Sequence, residues 1–265
     1  MKLSLAGWSL HRLFRAPDNP LRLVDFPAMA QGRFGIDAIE LNSPFFASRE
    51  PKYLKQLATV AEKARVRLLN VAVDEVGDLS ADSDLDRNRA VQNYGRWVPV
   101  AAEIGCTAIR ANTGGMGLTD TPKALTCCID SFRRLADMGI KHGVSILIEN
   151  HGGLSADPDN ILAIIEAVRT THGDTVIGTL PDFGNWTEPV DRYAALVKIL
   201  PFAKAVHAKV LEIDARLNHP AFDLSRCVQL TRSCGYDGYL GIEYEGDEEP
   251  IEGVTRAIAK LRPLL

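Results

Sequence analysis

The chain has 265 residues, 46% of them hydrophobic and 24% charged, with a net charge of −4. That length suits one large domain over residues 1–265, since a single eight-unit barrel takes about 250 residues. The mild negative balance excludes a long-range pull toward nucleic acid or anionic lipid.

No apolar run approaches the ~20 residues of a membrane helix. The first apolar stretch, Leu3 to Trp8, is too short for a secretory leader. The expectation is a cytoplasmic protein with neither nucleic-acid nor membrane partners. The five cysteines (Cys106, Cys127, Cys128, Cys227 and Cys234) form no C-x-x-C, and they read as reduced packing residues.

Along the chain, β-rich runs alternate with helical patterns. Lys2–Trp8 comes first, then Ile36–Leu41. A helix is expected over Lys52–Ala64, with Tyr53, Leu57, Val60 and Ala61 on one stripe. The run Val66–Val73 precedes an expected helix over Asp86–Ile104 carrying Val91, Tyr94, Val98 and Ala102. Thr107–Asn112 precedes one over Thr121–His142 carrying Leu125, Ile129, Phe132, Leu135 and Ile140. Val144–Asn150 precedes one over Asp159–Thr170 carrying Ile161, Ile164, Ile165 and Val168. The runs Thr175–Leu180, Ala203–Lys209 and Tyr239–Tyr244 bring the total to eight.

The runs recur at intervals of about 30 to 40 residues, the length of a βα unit with its loops. Runs such as Val144-Ser145-Ile146-Leu147-Ile148 are apolar almost throughout, as strands of a parallel sheet covered on both faces must be. Gly35, Gly105, Gly143 and Gly235 each stand shortly before a strand, where a helix C-cap needs φ > 0. Eight such units favour an α/β protein built as a single (β/α)8 TIM barrel. An open doubly wound sheet would want a Gly-rich phosphate loop after its first strand, and Trp8-Ser9-Leu10-His11 is not one.

In a barrel, chemistry belongs at the C-terminal ends of the strands. Those ends read Ile39-Glu40-Leu41-Asn42, Ile109-Arg110-Ala111-Asn112, Ile148-Glu149-Asn150-His151, Leu180-Pro181-Asp182-Phe183-Gly184-Asn185, Val206-His207-Ala208-Lys209 and Ile242-Glu243-Tyr244-Glu245. Charges buried there cost several kcal/mol each unless paired or metal-bound. Four consecutive strands supply Glu149, Asp182, His207 and Glu243. Three carboxylates and one imidazole suit an oxygen-preferring divalent cation: Mn²⁺ or Mg²⁺ first, with Co²⁺, Fe²⁺ and Zn²⁺ as further options.

The ordered set Glu-Asn-His, Asp-x-Gly-Asn, His-x-Lys and Ile-Glu-Tyr-Glu-Gly, from Glu149 to Gly246, resembles the sugar phosphate isomerase/epimerase family of the xylose isomerase-like TIM barrels. The resemblance implies that Glu149, Asp182, His207 and Glu243 ligate the metal. It also implies that Glu149 and Glu243 are the catalytic pair, moving a proton through a metal-stabilised enediolate. Ketose epimerases of that family commonly carry His three residues after the strand-six Asp, whereas this chain has Asn185. An amide can bond a hydroxyl but cannot shuttle a proton.

Further substrate contacts are expected from His151, Lys209, Arg110, Glu40, Trp8 and Arg216 as well as Asn185. The plainer alternatives are a loop histidine at 151, a barrel-mouth ion pair at Lys209, and a pair between Glu40 and Arg110 across the mouth. Glu245 shares the facing of Glu243 by alternation and is the alternative ligand. Trp8, Phe45, Phe46 and Trp186 either wall the pocket or pack the core.

The loops after strands seven and eight, Val210-Leu211-Glu212-Ile213-Asp214 and Gly246-Asp247-Glu248-Glu249, are acidic, unlike the phosphate-binding loops of other barrels. The expected substrate is therefore a small unphosphorylated carbohydrate. Isomerisation or epimerisation leads, and a lyase or dehydratase on the same site is the alternative. An abasic-site endonuclease, also a member of the superfamily, would need many histidines and a basic face, and the chain has six histidines. The resemblance admits a homo-oligomer.

Overall fold

The computed structural model describes residues 1–117, 119–214 and 216–265. Eight strands are formed: β1 (Lys2–Ala6), β2 (Ala38–Asn42), β3 (Arg67–Val73), β4 (Ala108–Ala111), β5 (Ser145–Glu149), β6 (Ile177–Leu180), β7 (Val206–Val210) and β8 (Tyr239–Tyr244). All pair in parallel, in the order β6-β5-β4-β3-β2-β1-β8-β7. The ends of that order meet. Bridges Thr179↔Ala203 and Asp182↔His207 join β6 to the β7 side, and the His207 amide donates to the Pro181 carbonyl at 2.9 Å. The fold is a single TIM barrel.

Helices cover the outside: α1 (His11–Phe14), α2 (Phe26–Phe34), α3 (Pro51–Ala64), α4 (Asp84–Gly95), α5 (Trp97–Glu103), α6 (Thr121–His142), α7 (Pro158–His172), α8 (Arg192–Ile199), α9 (Leu224–Ser233) and α10 (Pro250–Leu261). Among the described residues no helix is long and apolar enough to cross a membrane.

Local chemistry explains most boundaries. Asp120 caps α6 by accepting from the Lys123 amide at 3.1 Å, and Gly143 ends it in the left-handed conformation, φ +66°. That close matches the expected glycine stop.

Three expectations need correction. The first strand stops at Ala6, and Trp8 lies in a 3₁₀ turn over Gly7–Leu10. The helix expected over Asp86–Ile104 divides at Arg96 into α4 and α5, because Pro99 has no N–H to bond back to Gly95. On α6 the buried stripe runs through Ala124, Cys128, Phe132, Leu135 and Gly139, while Ile140 is 55% exposed. Small residues let that helix pack close to the sheet, so its buried face is marked by Ala124, Cys128, Ala136 and Gly139 as much as by large side chains.

Alternation along each strand puts two kinds of residue on the inner face. Low in the barrel, Ala108, Leu147, Leu180 and Ala205 form a small apolar cluster apart from the main core. Two residues further on stand Arg110, Glu149, Asp182 and His207, all buried. The main core lies between strands and helices, with Ile39, Ile109, Ile146, Ile148 and Ile242 fully buried. All five cysteines are free thiols.

Candidate metal centre

Four elements carry the donors to one point. Glu149 ends β5, Asp182 stands two residues beyond β6, His207 is the second residue of β7 and Glu243 the fifth of β8. One ligand atom from each lies within 4.8 Å of all the others, and all four residues are buried. Each side chain is held. The Asp182 carboxylate accepts from the Gly184 amide at 2.7 Å and the Asn185 amide at 2.9 Å, both on Oδ1. Asn150 clamps the same backbone, accepting from the Asp182 amide at 2.8 Å and donating to its carbonyl at 3.0 Å.

Glu40 lies beside His207, facing it from β2. Its Oε2 is 2.9 Å from His207 Nε2, and it accepts from Asn70 at 2.7 Å and from Ser4 at 2.7 Å. The β2–β3 register shifts by one residue between Ile39 and Leu41, with the extra residue on β3. Such a bulge re-aims side chains, and here Asn70 meets Glu40 at that point. Gly241 completes the fit, since a Cβ there would fall 2.3 Å from Glu40 Oε1. With Nε2 engaged by Glu40, Nδ1 of His207 is the atom aimed at the centre, 3.6 Å from both Glu149 Oε1 and Glu243 Oε1. A carboxylate on the far nitrogen fixes ring orientation and raises basicity, as in metal-binding histidines.

Two cations complete the electrostatics. Arg110 pairs with Asp74 at 2.7 Å and with Glu149 Oε2 at 2.9 Å. Lys209 pairs with Glu243 Oε2 at 2.6 Å and Glu245 at 3.1 Å, and stands 4.0 Å from Asp182. Burial pushes the Asp182 carboxyl up to about 7, with Glu243 and Glu149 adding and Lys209 and His207 opposing. Burial also works against an ionised Glu149, but the Arg110 guanidinium together with His207 and His151 outweighs it and holds that carboxyl below the usual range. Against burial, the Glu40 and Glu243 carboxylates raise His207 well above an ordinary imidazole, and Glu243 and Asp182 raise Lys209.

The donors fit a divalent cation. Buried polar atoms are normally satisfied, yet Asp182 Oδ2 and His207 Nδ1 have no hydrogen-bond partner. An ion between three carboxylates and an imidazole would satisfy both. Glu245, the alternative ligand, is outside the four-residue group and instead meets Lys209.

Above the centre opens a cleft of about 410 Å³ lined by Trp8, Asp74, Glu75, Arg110, Asn112, His151, Glu243 and Glu245. Trp8 stacks on His11 and on Phe45, with ring centres 5.3 and 5.9 Å apart. Asn185 donates its side-chain amide to Glu149 at 3.4 Å. His151 is exposed at the rim.

Two placements differ from expectation, and the choice left open for Trp186 falls to the core. Glu40 does not pair with Arg110: it is bonded to Ser4, Asn70 and His207, because Arg110 reaches Asp74 and Glu149 instead. Arg216 is exposed on the loop after β7, outside the described cleft lining, with its backbone amide bonded to Asp214 at 2.8 Å. Trp186 is core, 4% exposed, rather than pocket wall. Asp74, Asn70, Ser4 and Gly241 escaped sequence reasoning. Asp74 directly follows Val73 and would have emerged from reading the end of β3 with the other strand ends; the rest are polar or small residues without a motif.

A 71-residue stretch is 37% identical to the C-glycoside deglycosidase alpha subunit of Arthrobacter globiformis, covering 24% of this chain and 20% of that subunit, so the match spans about a fifth of its length. The fold is similar to that of 3-keto-D-glucoside 4-epimerase from E. coli, with TM-score 0.75, 15% identity and 99% of both chains covered. It is also similar to a xylose isomerase-like TIM barrel protein from Mycobacterium smegmatis in complex with magnesium, with TM-score 0.71, 18% identity, and 99% of this chain and 96% of that one covered. The family model of the xylose isomerase-like TIM barrel matches residues 32–264, and the chain belongs to that family.

Proposed function

We propose that this protein is a divalent-metal-dependent isomerase or epimerase of a small unphosphorylated sugar or keto-polyol, with Glu149 and Glu243 carrying the proton. The observation that carries this reading is the buried convergence of Glu149, Asp182, His207 and Glu243 with two donor atoms left unpaired. A divalent cation held there, Mn²⁺ or Mg²⁺ first, would supply Lewis-acid polarisation of a substrate carbonyl.

The chain's own residues do the rest. Arg110 keeps Glu149 ionised, so it can accept a proton from the carbon beside that carbonyl. Glu243 approaches from the other side, three strands away around the ring, with Lys209 against its outer oxygen. One carboxylate takes a proton from that carbon; the other, in its protonated form, gives one to the opposite face or to the neighbouring carbon. His151 and Trp8 at the rim and Asn185 beside Glu149 are positioned to meet the sugar's hydroxyls and ring. Likeness to a sugar epimerase supports the substrate class.

An unphosphorylated substrate is supported by the charges. Arg110 and Lys209 are both engaged by carboxylates. The loops after β7 and β8 enclose a separate cavity walled by Glu212, Asp214, Asp247 and Glu248, a poor place for a phosphate.

A second reading has one observation in its favour, the stretch alike to a C-glycoside deglycosidase subunit. The same first deprotonation followed by loss of a β-substituent would make the protein a lyase or dehydratase. Metal analysis of the purified protein and reaction of ketoses, inososes and 3-keto-glycosides in D₂O test both readings. Stoichiometric metal with deuterium wash-in and no loss of water or aglycone is expected. An unsaturated product moves the assignment to the lyase, and protein without divalent metal that exchanges no C–H proton overturns both.

A further inference from the structure

The mouth cleft continues sideways. A second cavity, also about 410 Å³, adjoins it and shares Glu75, Asn112 and His151. Small-ligand pockets run from about 300 to 1,000 Å³, so the cleft over the centre accommodates a sugar ring and the side groove is additional space.

The depth of that groove offers few free hydrogen-bonding groups. Asp78 is engaged by the Ser80 amide and hydroxyl at 2.8 and 2.7 Å and by the Gly115 amide at 3.1 Å. The Ser155 hydroxyl accepts from the His151 amide and donates to the Gly152 carbonyl, both at 2.9 Å. What remains as wall is Val76, Met116, Tyr94, whose hydroxyl accepts from the Asn112 amide at 3.2 Å, and the chain at Gly77, Gly114 and Gly152. Met116 is 78% exposed, with its sulfur close over Gly152. A methionine thioether adapts to flat apolar and aromatic partners.

The uncommitted polar groups stand at the threshold between the two spaces. The Asn112 side-chain oxygen is buried without a hydrogen-bond partner. Glu75 is exposed there in a left-handed backbone conformation, φ +60°, which side-chain-bearing residues rarely adopt.

A polar threshold followed by an apolar recess matches a two-part ligand. Resting on the sugar reading above, we propose that the substrate is a glycoside, with its sugar at the four-residue centre and an apolar or aromatic aglycone in the groove between Val76, Tyr94 and Met116. Asn112 Oδ1 accepts a hydrogen bond from a hydroxyl near the glycosidic link.

Calorimetry on the Mn²⁺-loaded protein with paired phenyl and methyl glycosides of glucose, galactose and xylose tests this. The phenyl member of at least one pair should bind about tenfold more tightly, and Met116→Glu should bring the pair within about twofold. Met116 is exposed, and a methyl-labelled methionine provides a second readout: contacts between the phenyl protons and the Met116 methyl in wild-type protein. Equal affinities throughout, no phenyl glycoside binding, or a preference untouched by Met116→Glu would overturn the proposal. Deuterium exchange into free ketoses is read separately. Exchange without phenyl preference sinks the groove alone, whereas phenyl preference without metal or exchange keeps the groove and sinks the proton-transfer reading.

Discussion

On the β5–β8 side of the barrel mouth two buried ligand atoms, Asp182 Oδ2 and His207 Nδ1, have no hydrogen-bond partner; on the β1–β4 side the charged groups Glu40 and Arg110, of similar burial, are bound to their neighbours. Glu40 on β2 takes bonds from Ser4, Asn70 and His207, and Arg110 on β4 bridges Asp74 and Glu149. Both halves bury charge in the same barrel, so burial alone does not mark the site. Incomplete pairing does: one half is arranged to receive something, and the other aims and charges it.

The receiving half gives the largest effect. Glu149→Gln and Glu243→Gln keep the shape of the side chain but cannot carry a proton. Each should cut C–H exchange by about 10²–10⁴-fold while the circular dichroism spectrum stays unchanged. Full exchange in either variant, followed by NMR in D₂O, would remove that residue from proton transfer.

The supporting half should answer in stability. Arg110→Met strands Asp74 and Glu149 without their shared cation, and breaking a buried pair costs about 3–5 kcal/mol. Urea unfolding of the metal-free protein measures it. A loss under about 1 kcal/mol would mean that water replaces the guanidinium, and the division between halves would blur.

Between these lies Glu40→Gln, which should leave the fold intact and weaken metal binding about 10–100-fold, the usual effect of a partner one step from the ion. Titration calorimetry with Mn²⁺ reads it directly. An unchanged affinity would show that His207 needs no help from β2.

The two halves were also unequally visible in the sequence. Glu149, Asp182, His207 and Glu243 could be picked out because each falls in a recognisable strand run or just past one and a buried charge demands a reason. The eight strands were readable for a related cause: runs such as Val144–Ile148 are apolar almost throughout, as strands covered on both faces must be. Partner choice was not readable. Whether Arg110 meets Glu40 or Asp74 depends on where strands sit around the ring, and the one-residue shift in β3 that brings Asn70 to Glu40 leaves no local mark. Gly241 reads as any strand glycine until the Glu40 side chain is seen filling the space beside it. The break at Arg96 was within reach, since Pro99 stands in the sequence four residues after Gly95.

The smallest effect is a slope with pH, and it separates the unpaired atoms from the paired ones. Asp182 holds its proton up to about pH 7 instead of the ordinary 3.8, and His207 holds its own well above 6.5. A proton held more tightly in the folded chain favours folding at low pH, and the advantage fades as pH rises through the folded value. For Asp182 the fading spans about 4 to 7, and for His207 it begins near 6.5 and continues upward. Glu149 and Glu40 are held below the usual carboxylate range and stay ionised throughout that window. The metal-free protein should therefore lose stability as pH rises above about 5, by at most about 1.4 kcal/mol per pH unit for each proton. A divalent cation must displace those protons, so its stabilising effect should grow over the same interval. Melting temperatures in EDTA and in excess Mn²⁺ give the two curves, and the gap between them should widen with pH. Asp182→Asn should flatten the metal-free curve below pH 7, leave the His207 part above it, and close the gap. A gap of constant width would mean that the cation does not compete for these protons, and the unpaired atoms of the β5–β8 half would need another partner.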